Sequence, residues 1–338
     1  MTDLMSMTEP ELMEFCVSLG EPAYRGKQLF GWLQKGIRSF DELKNLPASL
    51  REKLKANCLL CTCRAVRRQI STDGTRKYLF ELYDGERIES VFMRYRHGNT
   101  VCVSTQAGCR MGCSFCASTV NGLKRSLCAS EMLLQILEIQ SDTGERVSNV
   151  VLMGMGEPLD NYENVMRFLR LVNDEKGLNI GYRHISLSTC GLIDKMDRLA
   201  GEGLPITLSV SLHAPNGDIR KSIMPVANRY GYEELLEACV RYEQKTKRRI
   251  SFEYALISGV NDRPEHATEL AERLKGTLCH VNLIPLNHSG RLGYKRSVRD
   301  AVQAFAAALE KRGVTATVRR SLGNDISAAC GQLKAEND

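Results

Sequence analysis

The stretch "VCVSTQAGCRMGCSFCAS" (residues 101–118) joins an alternating strand pattern to a loop that carries three closely spaced cysteines. Three residues separate Cys109 from Cys113, two separate Cys113 from Cys116, and Cys102 lies upstream in the strand. Structural zinc usually takes four ligands from two spaced pairs, and no second pair accompanies this loop. Three thiolates would instead leave one iron of a 4Fe-4S cluster open to a ligand that is not protein. The loop therefore predicts a cofactor site.

Strand-like and helical stretches alternate after this loop. The strand-like runs are "TVCVST", "VSNVVLMGM", "RHISLST", "PITLSVSLH", "RRISFEYALI" and "CHVNLIPLN". Helical patterns such as "ASEMLLQILEIQSD", "NYENVMRFLRLVND", "YEELLEACVRYEQK" and "PEHATELAERLKG" separate most of them. Six β/α units in succession favour a parallel sheet, so we predict an α/β fold with a partial (β/α)6 TIM-like barrel. A doubly wound open sheet is the alternative.

Polar residues follow the strand-like runs where a barrel would place its functional loops. They are Gly154, Gly156 and Glu157 after the second run, Ser188 and Thr189 after the third, Ser211 and His213 after the fourth, and Asn287 after the sixth. Glycine lets the backbone approach a ligand closely, and a carboxylate can accept from an ammonium group. Each residue alone is typical of an ordinary polar strand cap. Their shared edge predicts a ligand site.

The chain before and after this core divides into smaller segments. Residues 1–63 have helical periodicity, with Ser39 as an N-cap and Pro47 at the front of a helix, and predict a small N-terminal accessory domain. Residues 64–98 form a period-two segment around Asp84-Gly85, which predicts a β-hairpin linker that carries Glu89. The barrel core then spans 99–313. A C-terminal strand and tail, 314–338, carries Cys330.

Charge and cysteine content restrict the class of protein. Residues 24–77 hold thirteen Lys/Arg and four acids, a net charge of +9 in a chain whose total is +6. Such a segment is typical either of a surface for nucleic-acid phosphates or of a solvated helical face. No leader pattern and no membrane-length apolar run occur, so we expect a cytoplasmic protein without a membrane partner. Thirteen cysteines in a reducing compartment indicate metal binding or catalysis more than disulfides.

Three further cysteines leave two interpretations open. Cys58, Cys61 and Cys63 form a C-x2-C-x-C stretch between the helical domain and the hairpin. Free cysteines also behave as small apolar residues, and no partnering histidine lies nearby in the sequence. Packing is therefore favoured over metal binding.

The sequence resembles the RlmN/Cfr group of radical S-adenosylmethionine (SAM) RNA methyltransferases. The C-x3-C-x2-C loop with Phe115 before its last cysteine is the radical SAM signature, and Met155-Gly156-Glu157 is similar to the "GGE" motif of that superfamily. Further matching motifs follow in order along most of the chain: "RIESVFM", "GLKR", "GMGEPL", "LSTCG", "SLHAPN", "R-x2-IMP", "LIPLN" and "GNDISAACGQL". The resemblance implies a 4Fe-4S cluster on Cys109, Cys113 and Cys116.

The resemblance also implies a mechanism that uses two SAM molecules per turnover. The first would methylate Cys330, and the second would be cleaved to a radical that activates the new S-methyl group for addition to an adenine carbon. Glu89 matches the proposed acceptor of the ring proton. Cys102 matches the thiol that releases the product by forming a disulfide with Cys330, which is ordinary thiol chemistry once the two meet. The SAM-binding residues implied are Gly156, Glu157, Ser188, Ser211, Leu212, His213 and Asn287.

The substrate and partners implied are those of the family. They are an adenosine of 23S rRNA in the peptidyl-transferase centre, methylated at C2, and the adenosine beside the anticodon of some tRNAs. The basic segment would then dock RNA, and the target adenine would be flipped out of its stack. An electron donor such as flavodoxin or ferredoxin is implied, and the enzyme is expected to be a monomer.

Three other functions remain open. Methylation of the same rRNA adenosine at C8, which gives antibiotic resistance, is the alternative within the family. A non-catalytic iron-sulfur RNA-binding protein would share the cluster and the basic segment but would leave Cys330 unexplained. A radical SAM activase of glycyl-radical enzymes would lack both the tail motif and the basic front segment.

Overall fold

The N-terminal segment folds as a small helical unit that a pair of short parallel strands closes. The structure is a computed structural model that describes residues 1–287, 293–320 and 322–333. Strand β1 (Thr2–Asp3) pairs with β2 (Cys58–Leu59), so the two ends of the unit meet. Between them lie helices α1 (Glu9–Ser18), α2 (Tyr24–Leu33) and α3 (Ala48–Asn57). Ser39 caps a short 3-10 turn and Pro47 precedes α3, as predicted.

Three antiparallel strands follow: β3 (Cys63–Ile70), β4 (Arg76–Leu82) and β5 (Arg87–Tyr95). The predicted hairpin is β4–β5, whose turn contains Asp84 and Gly85. Strand β3 extends it by one more strand, and β5 pairs directly with the first barrel strand, β6 (Gly98–Cys102). The hairpin is therefore continuous with the barrel sheet, and the register sets Val91 of β5 opposite Cys102 of β6.

A second small sheet brackets the cysteine loop. Its strands are β7 (Gln106–Gly108) and β8 (Leu123–Ser126), which pair antiparallel and lie on either side of the three cysteines. The two ends of the loop are thereby fixed next to each other at the C-terminal end of β6.

The barrel core is a run of parallel strands. They are β6, β9 (Asn149–Leu152), β10 (Ile185–Thr189), β11 (Thr207–Ser211), β12 (Ile250–Leu256), β13 (Cys279–Pro285) and β14 (Ala316–Val318). Within the described residues the sheet has ten strands in the order β14-β13-β12-β11-β10-β9-β6-β5-β4-β3. The predicted partial barrel of parallel strands is confirmed, and the antiparallel strands extend it at one edge.

Helices separate the parallel strands as the alternation predicted. They are α4 (Ala129–Thr143), α5 (Tyr162–Asn173), α6 (Ile193–Gly201), α7 (Gly217–Ile223), α8 (Tyr232–Thr246), α9 (Pro264–Arg273) and α10 (Arg299–Glu310). Fully buried Val101, Val150 and Leu187 of neighbouring strands lie in a hydrophobic core that continues into the N-terminal unit through Leu12 and Leu29. That continuity joins the unit to the barrel by apolar burial.

Polar contacts add to this attachment. Arg167 of α5 pairs with Glu11 of α1 at 2.6 Å, and Lys176 pairs with Glu9 at 2.6 Å. The Ser130 hydroxyl at the start of α4 donates to the Asp3 carboxylate at 2.7 Å. Among the helices of the described residues, none combines the length and apolar content that crossing a membrane requires.

Candidate active site

The three cysteines of the loop face one cavity at the C-terminal ends of the parallel strands. Backbone bonds shape the loop, because Cys109 N donates to Gly122 O at 3.1 Å and Cys116 N donates to Cys113 O at 3.1 Å. Cys109, Cys113 and Cys116 all line this cavity. The loop thus presents three sulfur donors to a single space, as its spacing predicted.

The thiols also act on one another electrostatically. Burial raises the pKa of Cys109 to about 12. Burial also raises the pKa of Cys113, and so do the neighbouring Cys116 and Cys109, because thiolates at these three positions would repel one another. A cationic iron core would take the place of the three protons and relieve this repulsion. Three converging soft donors in an enclosed space fit a 4Fe-4S cluster with one iron left open.

The glycine-rich turn after β9 forms the adjoining wall. Gly154 and Gly156 line the cavity, and Gly156 has φ +101°, where a Cβ would lie 2.6 Å from the Cβ of Gln106. The two oxygens of Glu157 accept from backbone N–H groups, Oε1 from Leu159 at 3.0 Å and Oε2 from Cys190 at 2.7 Å. Burial raises the pKa of Glu157, whereas these hydrogen bonds act to lower it. The carboxylate is therefore fixed in position and retains lone pairs for an ammonium ligand.

His213 forms part of an apolar wall. It adopts φ 55° after β11, and its Nδ1 accepts from the backbone N–H of Ala255 at 2.9 Å. Burial lowers the pKa of His213 to about 3, so the imidazole is neutral. Its ring meets the edge of Phe115 with centroids 4.9 Å apart, which encloses the space beside the cysteine loop.

The remaining predicted ligand residues divide between the cavity surface and the core. Ser188, Ser211 and Asn287 line the cavity at the ends of β10, β11 and β13. Leu212 is fully buried and is not among the described residues that line the cavity. Its backbone N–H donates to Glu253 O at 3.1 Å, so Leu212 fixes the strand end on which Ser211 and His213 lie.

The C-terminal tail crosses the mouth of the barrel and brings Cys330 into the same cavity. Two bonds attach the tail to the cysteine loop: Ala117 N donates to Gly331 O at 2.8 Å, and the Ser118 hydroxyl donates to Leu333 O at 2.7 Å. At its other end Asp325 accepts from the Ser71 hydroxyl at 2.5 Å. The sequence separated Cys330 from the loop by more than two hundred residues, and the fold makes them neighbours.

Cys102 lies behind Cys330 in an adjoining cavity. That second cavity is lined by Cys102 and Cys330 together with Tyr95, Met153 and Arg319. The pKa of Cys102 is raised to about 12, mainly by burial and also by the nearby Cys330, although the Arg319 guanidinium acts to lower it. Arg319 borders both cavities, and thiolates at Cys330 and Cys102 raise its own pKa. The two thiols predicted to react therefore share one cation.

Glu89 occupies a third cavity on the far side of the tail. It is buried on β5 and forms an ion pair with Lys77 at 3.2 Å, and this cavity is also lined by Ser327 and Gln332 of the tail. Among the described residues that line the first cavity, Glu89 is not included. The fold thus brings Glu89 to the tail that carries Cys330 but not into the space that the three loop cysteines face.

Several residues at the site were not among the predicted site residues. Glu253, Cys190 and Arg319 line the first cavity, and Arg220 is buried behind it. Cys190 and Arg220 lie within the motifs "LSTCG" and "R-x2-IMP", which indicated the family but no role for these two side chains. Glu253 lies within an apolar strand pattern that is typical of core. Lys77 could have been found from charge alternation on β4, but only the β4–β5 register sets it beside Glu89.

The upstream cysteines are buried, as the packing interpretation expected. Cys58, Cys61 and Cys63 belong to the hydrophobic core. The Cys61 sulfur lies 3.9 Å from that of Cys128, and both lie within 4.8 Å of the Asp3 carboxylate. That carboxylate already accepts from Met5, Ser6 and Ser130, so it serves to fasten the N-terminal unit to α4.

All thirteen cysteines belong to the described residues, and no two of them are joined by a disulfide. The disulfide between Cys102 and Cys330 that the resemblance implies is therefore not present in this structure. The two thiols border the second cavity instead.

Three of the thirteen basic residues of the basic segment lie on the edge strand β3. Most of β3 is exposed, including Arg64, Arg67 and Arg68. Arg64 pairs with Glu81 at 2.9 Å, and Arg68 pairs with Asp142. Arg67 also lines the third cavity, next to Glu89. A basic edge strand beside a cavity is an arrangement that a phosphate backbone would fit.

Comparison with known proteins matches both halves of this architecture. Residues 103–271 match the radical SAM superfamily, and residues 2–60 match the N-terminal domain of ribosomal RNA large subunit methyltransferases. The chain is 52% identical over 336 residues to a probable dual-specificity RNA methyltransferase RlmN of Alkaliphilus oremlandii, covering 99% of this chain and 98% of that one. A protein of the same description from Clostridium novyi is 51% identical over the same coverage.

A solved structure has the same fold over nearly the whole chain. The crystal structure of a radical SAM methyltransferase from Sphaerobacter thermophilus superposes with a TM-score of 0.95 at 46% identity, covering 99% of this chain and 100% of that one. Overlap of this extent includes the N-terminal unit, the antiparallel strands and the barrel.

Proposed function

This chain belongs to the RlmN family of radical SAM RNA methyltransferases, and on that premise we propose that it methylates C2 of an adenosine in 23S rRNA. It is a SAM-dependent enzyme of the radical class, and members of that class use a 4Fe-4S cluster. Relatives described as dual-specificity support a second substrate, which we propose to be the adenosine beside the anticodon of some tRNAs. The products would be 2-methyladenosine in both RNAs.

One observation carries the proposal. Cys330 lines the same cavity as Cys109, Cys113 and Cys116, and the Ala117–Gly331 bond holds the tail against the cysteine loop. A methyl group carried on a protein sulfur has to lie where the radical is generated. A non-catalytic iron-sulfur protein would have no use for a thiol in that position, and neither would an activase that acts on a separate protein.

The chain's residues divide the binding task. Cys109, Cys113 and Cys116 would hold the cluster, and Glu157 with the backbone at Gly156 would orient SAM. When bound, cluster and SAM together supply a carbon-centred radical. Ser188, Ser211, His213 and Asn287 would position the rest of SAM, and the strand-end backbone at Leu212 supports them. Phe115 and neutral His213 would limit access of water to the radical.

The tail thiol would carry the transferred carbon. The Cys330 sulfur accepts a methyl group in place of its proton, and that carbon bonds to the adenine after it has given one hydrogen atom to the radical. The Cys102 thiolate would then attack the Cys330 sulfur and form a disulfide as the sulfur–carbon bond breaks. The carbon would keep the electron pair of that bond and take up a proton, which completes the methyl group of the product. Arg319, which borders both thiols, supports this role because a cation favours thiolate over thiol.

Glu89 would accept the ring proton. Its ion pair with Lys77 fixes the carboxylate, and the cavity beside it reaches the tail through Ser327 and Gln332. Because Arg67 borders the same cavity, an RNA phosphate bound there would bring nucleotide and Glu89 together. We place the RNA on this side of the tail for that reason.

The proposed partners are RNA and an electron donor, and the proposed location is the cytoplasm. The exposed arginines of β3 support RNA docking, and thirteen cysteines without a disulfide among them support a reducing, cytoplasmic setting. An electron donor such as flavodoxin or ferredoxin would reduce the cluster. The described chain contributes every site residue named above, which supports action as a monomer.

Nucleoside analysis tests the proposal directly. Reconstituted protein is incubated with reductant, SAM and a 23S rRNA fragment, and the RNA is digested and examined by mass spectrometry. We expect 2-methyladenosine. Formation of 8-methyladenosine would assign the C8 activity instead, and absence of any methylated adenosine together with absence of 5′-deoxyadenosine would favour a non-catalytic RNA-binding role.

A further inference from the structure

Arg220 of α7 is a fully buried cation with incomplete bonding. Its side chain is 0% exposed, and its Nη2 donates to the carbonyl oxygens of Cys190 at 2.6 Å and Ser211 at 3.3 Å. Its Nε and Nη1 are buried without a hydrogen-bond partner. Guanidinium stays protonated under nearly all conditions, so a full positive charge lies inside the protein.

No carboxylate within the described part of the chain forms an ion pair with Arg220. Burying a charge is costly unless a charge of opposite sign accompanies it, and folded proteins almost always supply one. Two carbonyl oxygens carry only partial negative charge and leave most of the cation uncompensated. The fold therefore retains a buried positive charge to which the described residues offer no formal counter-ion.

The groups around Arg220 belong to the cofactor cavity. Cys190, whose carbonyl it binds, lines that cavity and donates its own N–H to Glu157. One helical turn after Arg220, the carbonyl of Ile223 accepts from Ser114 N at 2.9 Å, within the cysteine loop. Arg220 itself is not among the described residues that line the cavity, so it stands directly behind the wall.

The backbone opposite Arg220 is shaped to admit it. Gly191 has φ +97°, and a Cβ there would lie 2.7 Å from Leu235 Cδ1 and 3.5 Å from Arg220 Nη2. A Cβ at this position would clash with Leu235 and would lie in ordinary van der Waals contact with the guanidinium. The turn after β10 thus leaves room for the guanidinium beside the Cys190 carbonyl.

We propose that Arg220 is the buried counter-charge of the iron-sulfur cluster and raises the cluster's reduction potential. The proposal rests on the proposed function only in that Cys109, Cys113 and Cys116 hold a 4Fe-4S cluster. Three thiolates around a core of charge 2+ give a site of net charge −1, and reduction by one electron makes it −2. A fixed cation favours the more negative state, so it makes reduction easier.

Arg220 is accordingly a positioning residue rather than a catalytic one. It acts on the cluster through space, across a wall of low polarity, where a charge is poorly screened. A guanidinium keeps its charge when it is buried, as this role requires.

Redox titration of the cluster-loaded protein, without RNA, tests the proposal. The variants are Arg220→Lys, which keeps the charge, Arg220→Gln, which keeps a hydrogen-bond donor without the charge, and Arg220→Met, which is neutral and apolar. Arg241→Gln is the control, because Arg241 is exposed and pairs with Asp197 at 2.8 Å. The potential is read from the electron paramagnetic resonance signal of the reduced cluster.

We expect the potential to shift to more negative values in the Gln and Met variants and to stay near the wild-type value in the Lys and Arg241→Gln variants. Unchanged potentials in the neutral variants would overturn the proposal, and so would a Lys variant that shifts as far as the Gln variant, because the effect would then come from the hydrogen bonds. Two neutral replacements are used because an apolar substitute for a buried ion is often well tolerated. Since no RNA is present, failure to methylate RNA would leave this result intact.

Discussion

The backbone N–H of Ala117 donates to the carbonyl oxygen of Gly331 at 2.8 Å, which joins the residue after Cys116 to the residue after Cys330. The last cysteine of the cluster loop and the cysteine of the tail are thereby held on either side of one peptide hydrogen bond. This hydrogen bond holds the tail segment with Cys330 beside the cysteine loop.

Replacing Cys330 with alanine should abolish RNA methylation while leaving the cluster in place. The thiol lines the cavity but is not one of the three cluster-loop cysteines, so iron and sulfide content should match wild type. Methylated nucleosides are measured by mass spectrometry. Cys279→Ala, on a strand away from the cavity, is the matched control and should retain activity. Methylated RNA from Cys330→Ala would rule out the carrier role.

Replacing Asp325 with asparagine should loosen the tail. Asp325 accepts from the Ser71 hydroxyl at 2.5 Å and from Thr72 N at 3.1 Å, and an amide can satisfy only part of this pattern. We expect faster hydrogen–deuterium exchange across 322–333 and at least a several-fold lower methylation rate, with unchanged cluster content. Asp300→Asn, on α10, serves for comparison. Exchange equal to wild type would show that Asp325 does not anchor the tail.

Replacing Arg319 with methionine should make Cys102 less reactive. Arg319 lowers the pKa of the Cys102 thiol, which burial and Cys330 raise to about 12, so loss of the guanidinium raises it further. The rate of iodoacetamide alkylation at Cys102, followed by peptide mass spectrometry near pH 9, should fall several-fold relative to wild type. Alkylation of Cys279 gives the internal reference. An equal or faster rate at Cys102 would contradict a role for Arg319 in thiolate formation.

Alkaline pH should destabilise the folded chain through its buried thiols. Burial raises the pKa of Cys239 to about 12, whereas the pKa of a cysteine in an unfolded chain is about 8.5. Between about pH 8.5 and pH 12 the folded state therefore binds more protons than the unfolded state. The contribution of this thiol to the free energy of unfolding is fully present below about pH 8.5 and falls as the pH rises towards 12. Each such thiol costs about 1.4 kcal/mol per pH unit in that window.

The variant Cys239→Ala isolates this contribution. Its free energy of unfolding, measured by denaturant titration of cluster-free protein at several pH values above 8.5, should fall less steeply with pH than that of wild type. Lysines and tyrosines contribute equally to both proteins and cancel in the comparison. Parallel pH dependences would mean that Cys239 titrates alike in the folded and unfolded states.

Neutralising the arginines of β3 should weaken RNA binding in a salt-dependent way. In the triple variant Arg64→Gln, Arg67→Gln and Arg68→Gln, removing each arginine–phosphate ion pair should reduce the slope of log affinity against log salt by about 0.7 to 0.9. Filter binding of the rRNA fragment at several salt concentrations measures this slope. The pair Arg198→Gln and Arg241→Gln, on α6 and α8, removes charge elsewhere. An unchanged slope in the triple variant would move the RNA surface away from β3.

The sequence determined the parts of this protein that local chemistry specifies. The spacing of Cys109, Cys113 and Cys116 predicted a three-ligand metal loop, and alternation of strand and helix patterns predicted the partial barrel. Because parallel strands all end at one edge, the positions of Glu157, Ser211 and Asn287 at one cavity followed from strand order alone. Motif resemblance then indicated Cys330 and Cys102 without locating them.

Only the tertiary structure decided which of these groups meet. Cys330 reaches the cysteine loop because the backbone N–H of Ala117 donates to the carbonyl oxygen of Gly331 in the tail. Glu89 lies in a separate cavity because β5 pairs with β4 at the antiparallel edge of the sheet. Arg319 borders two thiols, those of Cys102 and Cys330, that are far apart in the sequence. The motif "R-x2-IMP" includes Arg220 but did not indicate its burial, since a charged residue in a helix pattern is expected at the surface. Burial and contacts between distant parts of the chain determine the electrostatic environment of each side chain. Neither can be inferred from the neighbours of a residue in the sequence.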